Sequence, residues 1–219
     1  MINIIYTIFN VAWQQSAIVS VNDKDIKDFY RKIIKLLISF LFSGSFIIIC
    51  LLQFLFKYII DYSYYSAIYI IPFLLIGSIF ISLAQFLGGI LLSRMDTKYI
   101  GISTTYAAIL NLVINLIFIK YIGIYAAAIS TFISYFLLFI VRFMKLKEYF
   151  DNDIISEILK YVVVFIVFVA IMLINNDILN IMSLIISFCI FVIINKNTIK
   201  KIIFKFLKKG KVQNECANN

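Results

Sequence analysis

The stretch NLVINLIFIKYIGIYAAAIST, residues 111–131, contains two apolar runs joined by a short link that includes Lys120 and Gly123. Two amide side chains, Asn111 and Asn115, lie inside the first run. A link this short makes two consecutive helices antiparallel and adjacent, and glycine suits the tight turn between them. The stretch therefore predicts a helical hairpin with two amide side chains inside a segment that is apolar enough to lie in a membrane.

The composition indicates that lipid is the solvent for this hairpin and for the rest of the chain. Of the 219 residues, 63% are hydrophobic and only 14% are charged, and the mean hydropathy is +1.04. A soluble domain is usually about 45–50% apolar. A water-soluble fold of this length could not bury so much apolar surface, so we expect a membrane protein.

Apolar runs of about 20 residues, the length of a membrane-spanning helix, recur along the sequence. They are too long for barrel strands and lack sustained apolar/polar alternation. Residues 20–195 are predicted to form a transmembrane bundle with spans near 33–56, 67–92, 99–119, 124–144, 161–175 and 178–195. Residues 1–19 are a weaker candidate for a partial or first transmembrane helix. The predicted fold class is an all-α polytopic bundle of about seven spans.

The basic residues predict the orientation of this bundle. With the C-terminus in the cytoplasm, all of the 20 Lys and Arg residues except Lys57 and Lys120 fall on the cytoplasmic side. This is the positive-inside pattern of membrane proteins. It accounts for the net charge of +9 without a nucleic-acid partner, and it makes the loop 57–66 external.

Residues 196–219 are predicted to be a basic cytoplasmic tail that contains an amphipathic helix. Its apolar face comprises Ile199, Ile202, Ile203 and Phe206, and lysines cover most of the remaining surface. Such a helix lies on an anionic leaflet, so membrane lipid is an expected partner.

Enzyme chemistry has little support in the sequence. There is no histidine, and Cys50, Cys189 and Cys216 form no CxxC pair. We therefore predict no metal site and no cofactor. The predicted outer loops offer only Asp61 and Asp177, which are far apart in the chain. We expect no enzyme activity, with a polytopic lipid-sugar enzyme as the alternative, since such enzymes need acids or histidines at the membrane surface.

Small residues at helical spacing predict close packing between neighbouring helices. Gly77, Ala84 and Gly88 share one stripe, and Gln85 lies on the stripe beside it. A second polar stripe comprises Gly101, Thr104, Ala108, Asn111 and Asn115, and the next helix carries Ala126, Ser130 and Ser134. The amides Gln85, Asn111 and Asn115 have two interpretations that the sequence leaves open: hydrogen bonds between helices, or the wall of a substrate path.

Three basic residues are candidates for a cationic part of such a path. Lys35 lies just inside the first full span, and Arg94 and Arg142 lie at cytoplasmic helix ends. The alternative for each is that its aliphatic stem carries the charge outward to the lipid phosphates. Lys35 is the strongest candidate because its position after Ile33 and Ile34 places it deeper than Lys32.

The run FLGGILLSRMDTKYIGISTTYAAILNLVINLIFIKYIGIYAAAISTFISYFLLFIVRF carries a family resemblance. It contains a helix ending in Gly88–Gly89–Ile90, a short basic link with Thr97–Lys98, the amide-bearing helix, the turn Tyr121–Gly123 and the small-residue helix 126–131. In this order and spacing it resembles the C-terminal half of the polysaccharide flippases. These are the Wzx-type O-antigen translocases of the multidrug/oligosaccharidyl-lipid/polysaccharide exporter superfamily, which have a MATE-like fold. Upstream, Trp13–Gln14 and Phe29–Tyr30 extend the resemblance, which covers roughly residues 5–150.

The resemblance implies a function in the bacterial cytoplasmic membrane. Family members move an undecaprenyl-pyrophosphate-linked oligosaccharide between leaflets by alternating access, for lipopolysaccharide or other cell-surface polysaccharide. They have about twelve or more helices in two bundles. This chain corresponds to the second bundle and one further helix, so we expect a truncated or split translocase whose partner is a separate N-terminal half. An inactive remnant or an assembly subunit is the alternative.

The predicted topology is tested by labelling Ser63→Cys with an impermeant thiol reagent. Because loop 57–66 is predicted to be external, we expect the introduced thiol to react in intact cells. A matching Thr97→Cys variant, in the predicted cytoplasmic loop, should react only after lysis. If Ser63→Cys stays unlabelled until the cells are lysed, the predicted topology is wrong.

Overall fold

A computed structural model describes residues 26–150, 153–174 and 176–196, and these residues form helices joined by short connections. The helices are α1 (Ile26–Tyr58), α2 (Ile71–Ser93), α3 (Thr97–Ile122), α4 (Ile124–Lys145), α5 (Asp153–Ile174) and α6 (Asp177–Lys196). Short 3₁₀ helices at Tyr62–Tyr69 and Lys147–Tyr149 lie in two of the connections. No strand occurs in these ranges.

All six α-helices are long and apolar enough to cross a membrane, so the predicted fold class, an all-α polytopic membrane bundle, is confirmed. Because the connections are short, consecutive helices run in opposite directions. Helices α1, α3 and α5 begin at one end of the bundle, where α2, α4 and α6 finish; we call it the basic end, since it carries Lys32, Arg94 and Lys145. The predicted helix at 1–19 and nearly all of the predicted tail at 196–219 lie outside the described residues.

Two helices begin earlier than the hydropathy of the sequence predicts. Helix α1 starts at Ile26 rather than near residue 33, and α5 starts at Asp153 rather than near residue 161. The added turns contain charged residues, which end an apolar window without ending a helix. An acidic residue in the first turn, Asp28 in α1 and Asp153 in α5, instead favours helix initiation through the helix dipole.

Helix α2 lies at the centre of the bundle. In its most apolar stretch 67% of residues are buried, compared with 11% for α3. Its small residues allow α4 to approach closely, and the Cα of Phe132 lies 3.4 Å from the position that a Cβ on Gly77 would take. The ring of Phe80 on α2 also contacts the rings of Phe136 and Phe139 on α4, at centroid distances of 4.9 and 5.6 Å.

Helix α1 packs against α5 largely through aromatic rings. Phe42 stacks on Tyr161 at 5.5 Å and Phe46 stacks on Phe168 at 5.1 Å. Toward the end opposite the basic end, the Gln53 side-chain amide donates to the carbonyl of Met172. Stacked rings of this kind add about 0.5–1.5 kcal/mol beyond the area that they bury, so α1 and α5 form a firmly packed pair.

Helix α6 joins α1 through a polar seam that the hydropathy pattern conceals. The Asn195 amide donates to the hydroxyl of Ser43 on α1 over 2.9 Å, and both residues are buried. Further along α6, the buried polar residues are Asn180, Ser183 and Ser187. Polar groups that lie between helices in this way contribute interhelical hydrogen bonds in lipid.

At the end opposite the basic end, an ion pair and a capped loop complete the α1 side of the bundle. The Lys57 ammonium lies 2.6 Å from an Asp177 carboxylate oxygen, which links the end of α1 to the start of α6. In the loop that follows α1, the Asp61 carboxylate accepts hydrogen bonds from the hydroxyl and the backbone N–H of Ser63. These two bonds, that of the hydroxyl first, hold the pKa of the Asp61 carboxyl below its ordinary value.

The close α2–α4 contact generates a stability prediction with a matched control. A leucine at Gly77 adds atoms beyond a Cβ that already lies 3.4 Å from the Cα of Phe132, whereas a leucine at Gly101 on α3 meets nothing within 4 Å of its Cβ. We expect Gly77→Leu to lower the free energy of unfolding by about 1–3 kcal/mol through overpacking, and Gly101→Leu to leave it unchanged or raise it. Denaturant unfolding of the purified protein in detergent measures both; equal losses in the two variants would contradict this packing.

Candidate functional site

The candidate site is a buried polar cluster at Arg142, near the basic end of α4. A ridge of residues at four-residue spacing runs along α4 to this arginine, and all of its members are buried: Ala126, Ser130, Ser134, Leu138 and Arg142. Only 4% of the Arg142 side chain is exposed. Because an arginine stays charged at any accessible pH, the cluster must stabilise a cation inside the bundle.

The guanidinium is held by hydrogen-bond acceptors from two neighbouring helices. On α2 it donates from Nη1 to the carbonyl of Ala84 over 2.7 Å. On α3 it donates from Nε to the hydroxyl of Ser103 over 3.2 Å and from Nη2 to the hydroxyl of Thr104 over 2.9 Å. One side chain on α4 therefore fixes the positions of α2 and α3 together.

The two hydroxyls on α3 are oriented to accept these bonds. Ser103 and Thr104 each donate their own proton to the carbonyl of Ile100, over 3.0 and 2.8 Å. Their oxygen lone pairs are then left to face the guanidinium. A carbonyl that accepts from a hydroxyl polarises that hydroxyl, which strengthens the bond from the cation in a low dielectric.

Gly88 on α2 leaves the space that the guanidinium occupies. A Cβ at this position would lie 2.7 Å from Nη1 of Arg142, which is closer than unbonded heavy atoms approach. Any larger residue at position 88 must therefore shift the guanidinium from this position.

The alternative that Arg142 extends outward to the lipid phosphates is therefore wrong, and the direction of α4 explains why. Side chains on an α-helix tilt toward its N-terminus. Helix α4 ends at the basic end, so the Arg142 side chain tilts away from the membrane surface and into the bundle. The acceptors at Ala84, Ser103 and Thr104 lie on the side to which it points.

Of the two asparagines in the α3 segment, Asn111 bonds directly to α4. The hydroxyl of Ser130 donates to the carboxamide oxygen of Asn111 over 2.9 Å. The carboxamide oxygen of Asn115 is also buried, but it accepts no hydrogen bond from the part of the chain that the structure describes. The hairpin turn between these helices is formed by Gly123, whose φ of +56° favours glycine.

In the first half of α3, each buried residue precedes a residue of the predicted stripe by one position. Gly101, Thr104 and Ala108 are exposed, whereas Ser103 and Ala107 are buried. Ser103, Ala107, Asn111 and Asn115 follow one another at four-residue spacing, as do the ridge residues of α4. Two such ridges can interdigitate, and in this row Ser103 and Ala107 are buried while Asn111 and Asn115 are half-buried.

The structure does not bring the predicted path residues together at one place. Lys35 is exposed and lines a groove between α1 and α5. Gln85 is exposed on α2, although its neighbours Ala84 and Phe86 are buried. Arg94 caps the end of α2 and lies at the basic end, where it pairs with Glu148 over 3.0 Å.

The surroundings of Arg94 form a surface cluster of charges and rings. The guanidinium lies 4.9 Å from the ring centroid of Tyr149, and nearby the Lys145 ammonium lies 3.6 Å from an Asp96 carboxylate oxygen. Burial raises the pKa of the Tyr149 phenol, although the charge of Arg94 acts in the opposite direction. These contacts tie the loop after α2 to the loop after α4 at the surface.

The predicted packing residues lie along the faces of α2 and α4. Gly77, Ala84 and Gly88 are buried on α2, and Ala126, Ser130 and Ser134 are buried on α4. Sequence reasoning placed Arg142 at a helix end and did not connect it with this row. The signal was present: Arg142 continues the four-residue series that begins at Ala126.

The groups of the Arg142 cluster are suited to binding and positioning other groups. Its groups are a permanent cation, two hydroxyls and backbone carbonyls, which hold charge but exchange no proton near neutral pH. In the described ranges, no group of three or more Asp, Glu, Cys or His side chains is arranged to hold a metal ion.

In comparisons with known proteins, no family model, no curated protein and no solved structure matches the chain.

The contact between Gly88 and Arg142 generates a prediction about coupling. We expect Arg142→Met to lower the free energy of unfolding in detergent by about 1.5–3 kcal/mol, since it removes hydrogen bonds to a charged group. Gly88→Ala should also destabilise, because it displaces the guanidinium. In the Arg142→Met background the same alanine should cost nothing, since the displaced group is absent.

The double-mutant cycle is measured by denaturant unfolding of the four purified proteins. A coupling energy of about 1 kcal/mol or more between the two positions is expected for residues in contact. Gly101→Ala is the control partner, because its Cβ meets no atom within 4 Å, and its effect should add to that of Arg142→Met. Additive effects of Gly88→Ala and Arg142→Met would contradict the arrangement.

Proposed function

We propose that this chain forms one bundle of a two-bundle translocase. Its substrate would be an undecaprenyl-pyrophosphate-linked oligosaccharide that crosses the bacterial cytoplasmic membrane for cell-surface polysaccharide synthesis. Support comes from the order and spacing of the motifs in residues 86–143, which resemble the polysaccharide flippases. The polytopic helical bundle is the architecture that such a function requires.

The observation that carries the proposal is the exposure of Gln85. This amide lies eight residues before the end of α2 at Ser93, which is about 12 Å along a helix. It is exposed on the most buried helix of the bundle and makes no hydrogen bond within the described residues. An amide left facing hydrocarbon costs about 2–7 kcal/mol. A second bundle, or water between two bundles, would remove that cost.

A polar surface at this depth fits the proposed substrate. Sugar hydroxyls and a pyrophosphate cannot enter hydrocarbon without hydrogen-bond partners, so translocation needs polar groups along a path between bundles. Gln85 offers both a donor and an acceptor.

The Arg142 cluster supports the mechanical part of the proposal. Alternating access moves one bundle against the other largely as a rigid body. A cation that binds α2 and α3 from α4 keeps the three helices in one arrangement during such a movement. Arg142 is thus a positioning residue in this proposal, and Gln85 is the residue that would meet substrate.

The test is complementation of a flippase-null strain, scored by surface polysaccharide. We expect restoration when this chain is co-expressed with the N-terminal bundle of a flippase. Restoration by this chain alone would contradict the two-bundle requirement. Failure of both arms, with both proteins present in the membrane, would contradict translocase function and favour a remnant or assembly role.

A substitution at Gln85 then tests the path itself. In the restored strain, Gln85→Leu should lower surface polysaccharide about tenfold, which corresponds to about 1.4 kcal/mol of lost substrate interaction. Thr105→Val is the control, because its hydroxyl already bonds to the carbonyl of Gly101. Full activity of Gln85→Leu at equal membrane abundance would remove Gln85 from the path.

A further inference from the structure

A groove of about 510 Å³ lies between the N-terminal parts of α1 and α5, toward the basic end of the bundle. Its charged lining consists of two lysines, Lys35 and Lys160, and two carboxylates, Asp153 and Glu157. Tyr161 and Val164 line the groove deeper along α5. The groove is separate from the Arg142 cluster, which involves α2, α3 and α4.

The four charges of the groove do not neutralise one another by contact. Within the described residues, the ion pairs closer than 4.0 Å involve other side chains. Elsewhere at the same end, Arg94 pairs with Glu148 and Lys145 pairs with Asp96. The groove therefore presents two cations and two anions that remain available to a ligand.

Helix direction places the lysines at the surface and the apolar wall beneath them. Both α1 and α5 begin at the basic end, and side chains tilt toward the N-terminus of their helix. The ammonium groups of Lys35 and Lys160 therefore point toward the aqueous boundary, while Val164 lies farther into the membrane. This change from charged to apolar along the groove matches a phospholipid, whose headgroup lies above its acyl chains.

The balance of charge selects the type of headgroup. Two lysines would repel a cationic ligand, and Asp153 and Glu157 would repel one that is only anionic. A zwitterion satisfies both pairs. A quaternary ammonium has no N–H to donate, and it binds instead over open aromatic faces. One face of the Tyr161 ring is covered by Phe42, at 5.5 Å and an interplanar angle of 18°, so the groove offers no aromatic cage.

We infer that the groove between α1 and α5 binds the headgroup of phosphatidylethanolamine. The phosphate of the lipid accepts hydrogen bonds from Lys35 and Lys160. The primary ammonium of its ethanolamine group donates to Asp153 and Glu157. Each contact is a charge-assisted hydrogen bond, roughly twice as strong as a neutral one. The acyl chains continue past Val164 along the exposed apolar surface of α5.

The inference is tested by native mass spectrometry of the purified full chain, titrated with dioleoyl lipids of defined headgroup. The series is phosphatidylethanolamine, its N-methyl and N,N-dimethyl derivatives, phosphatidylcholine and phosphatidylglycerol. We expect affinity to fall as N–H donors are lost, with phosphatidylethanolamine at least about tenfold tighter than phosphatidylcholine, a difference of about 1.4 kcal/mol. Equal affinity along the series, or tighter binding of phosphatidylglycerol, would overturn the inference.

Two charge-neutralising variants locate the site. Lys35→Gln with Lys160→Gln, and separately Asp153→Asn with Glu157→Gln, should each weaken phosphatidylethanolamine binding about tenfold. Lys98→Gln, an exposed lysine in the first turn of α3, is the matched control and should change binding less than twofold. Circular dichroism and size-exclusion profiles confirm that each variant is folded. If folded variants of both kinds bind as the parent does, the lipid binds elsewhere and the inference fails.

Discussion

The hydrogen bonds of the Arg142 guanidinium are the constraint on which the arrangement of three helices depends. A permanent charge inside a membrane bundle must be surrounded by acceptors, because burying an unpaired ion costs far more than a single helix contact supplies. Those acceptors come from α2 and α3, whereas the arginine belongs to α4. A rotation or slide of one helix against the other two would lengthen or break at least one of these bonds. The glycine at position 88 follows from the same requirement, since any Cβ would occupy the guanidinium's space.

The bundle thus contains two groups of helices that are held together by different forces. Helices α2, α3 and α4 share the Arg142 cluster and the Ser130–Asn111 bond. Helix α1 joins α5 and α6 through ring stacking, the Asn195–Ser43 bond and the Lys57–Asp177 ion pair. Lipid is as apolar as leucine, so apolar area alone does not bring helices together, and such specific contacts decide which helices pair. The contact of α1 with α2 connects the two groups.

The sequence predicted the helical class and the position of the α3–α4 hairpin, because both depend on local properties: long apolar runs and a glycine after Lys120. It did not predict the starts of α1 and α5, since a hydropathy window treats Arg31 or Lys160 as an end, whereas a helix continues through them. The four-residue series on α4 signalled that Arg142 is buried, but the helices that it joins, and the row on α3, depend on which helices pack together. That information lies in contacts between distant residues, such as Arg142 with Ala84, and no window along the chain contains it. The α1–α6 seam was hidden for the same reason.

Helix direction accounts for the different environments of the basic residues near the membrane boundaries. At the N-terminal end of a helix, as for Lys35 and Lys160, the tilt of the side chain leads out of the bundle and leaves the charge available at the surface. At a C-terminal end the tilt leads inward, so the charge needs a partner. Arg94 and Lys145 each have a carboxylate from a neighbouring connection. Arg142, almost one turn before the end of α4, instead has carbonyl and hydroxyl acceptors inside the bundle. Depth and direction together therefore determine whether a basic residue binds lipid, pairs at the surface or joins helices in the interior.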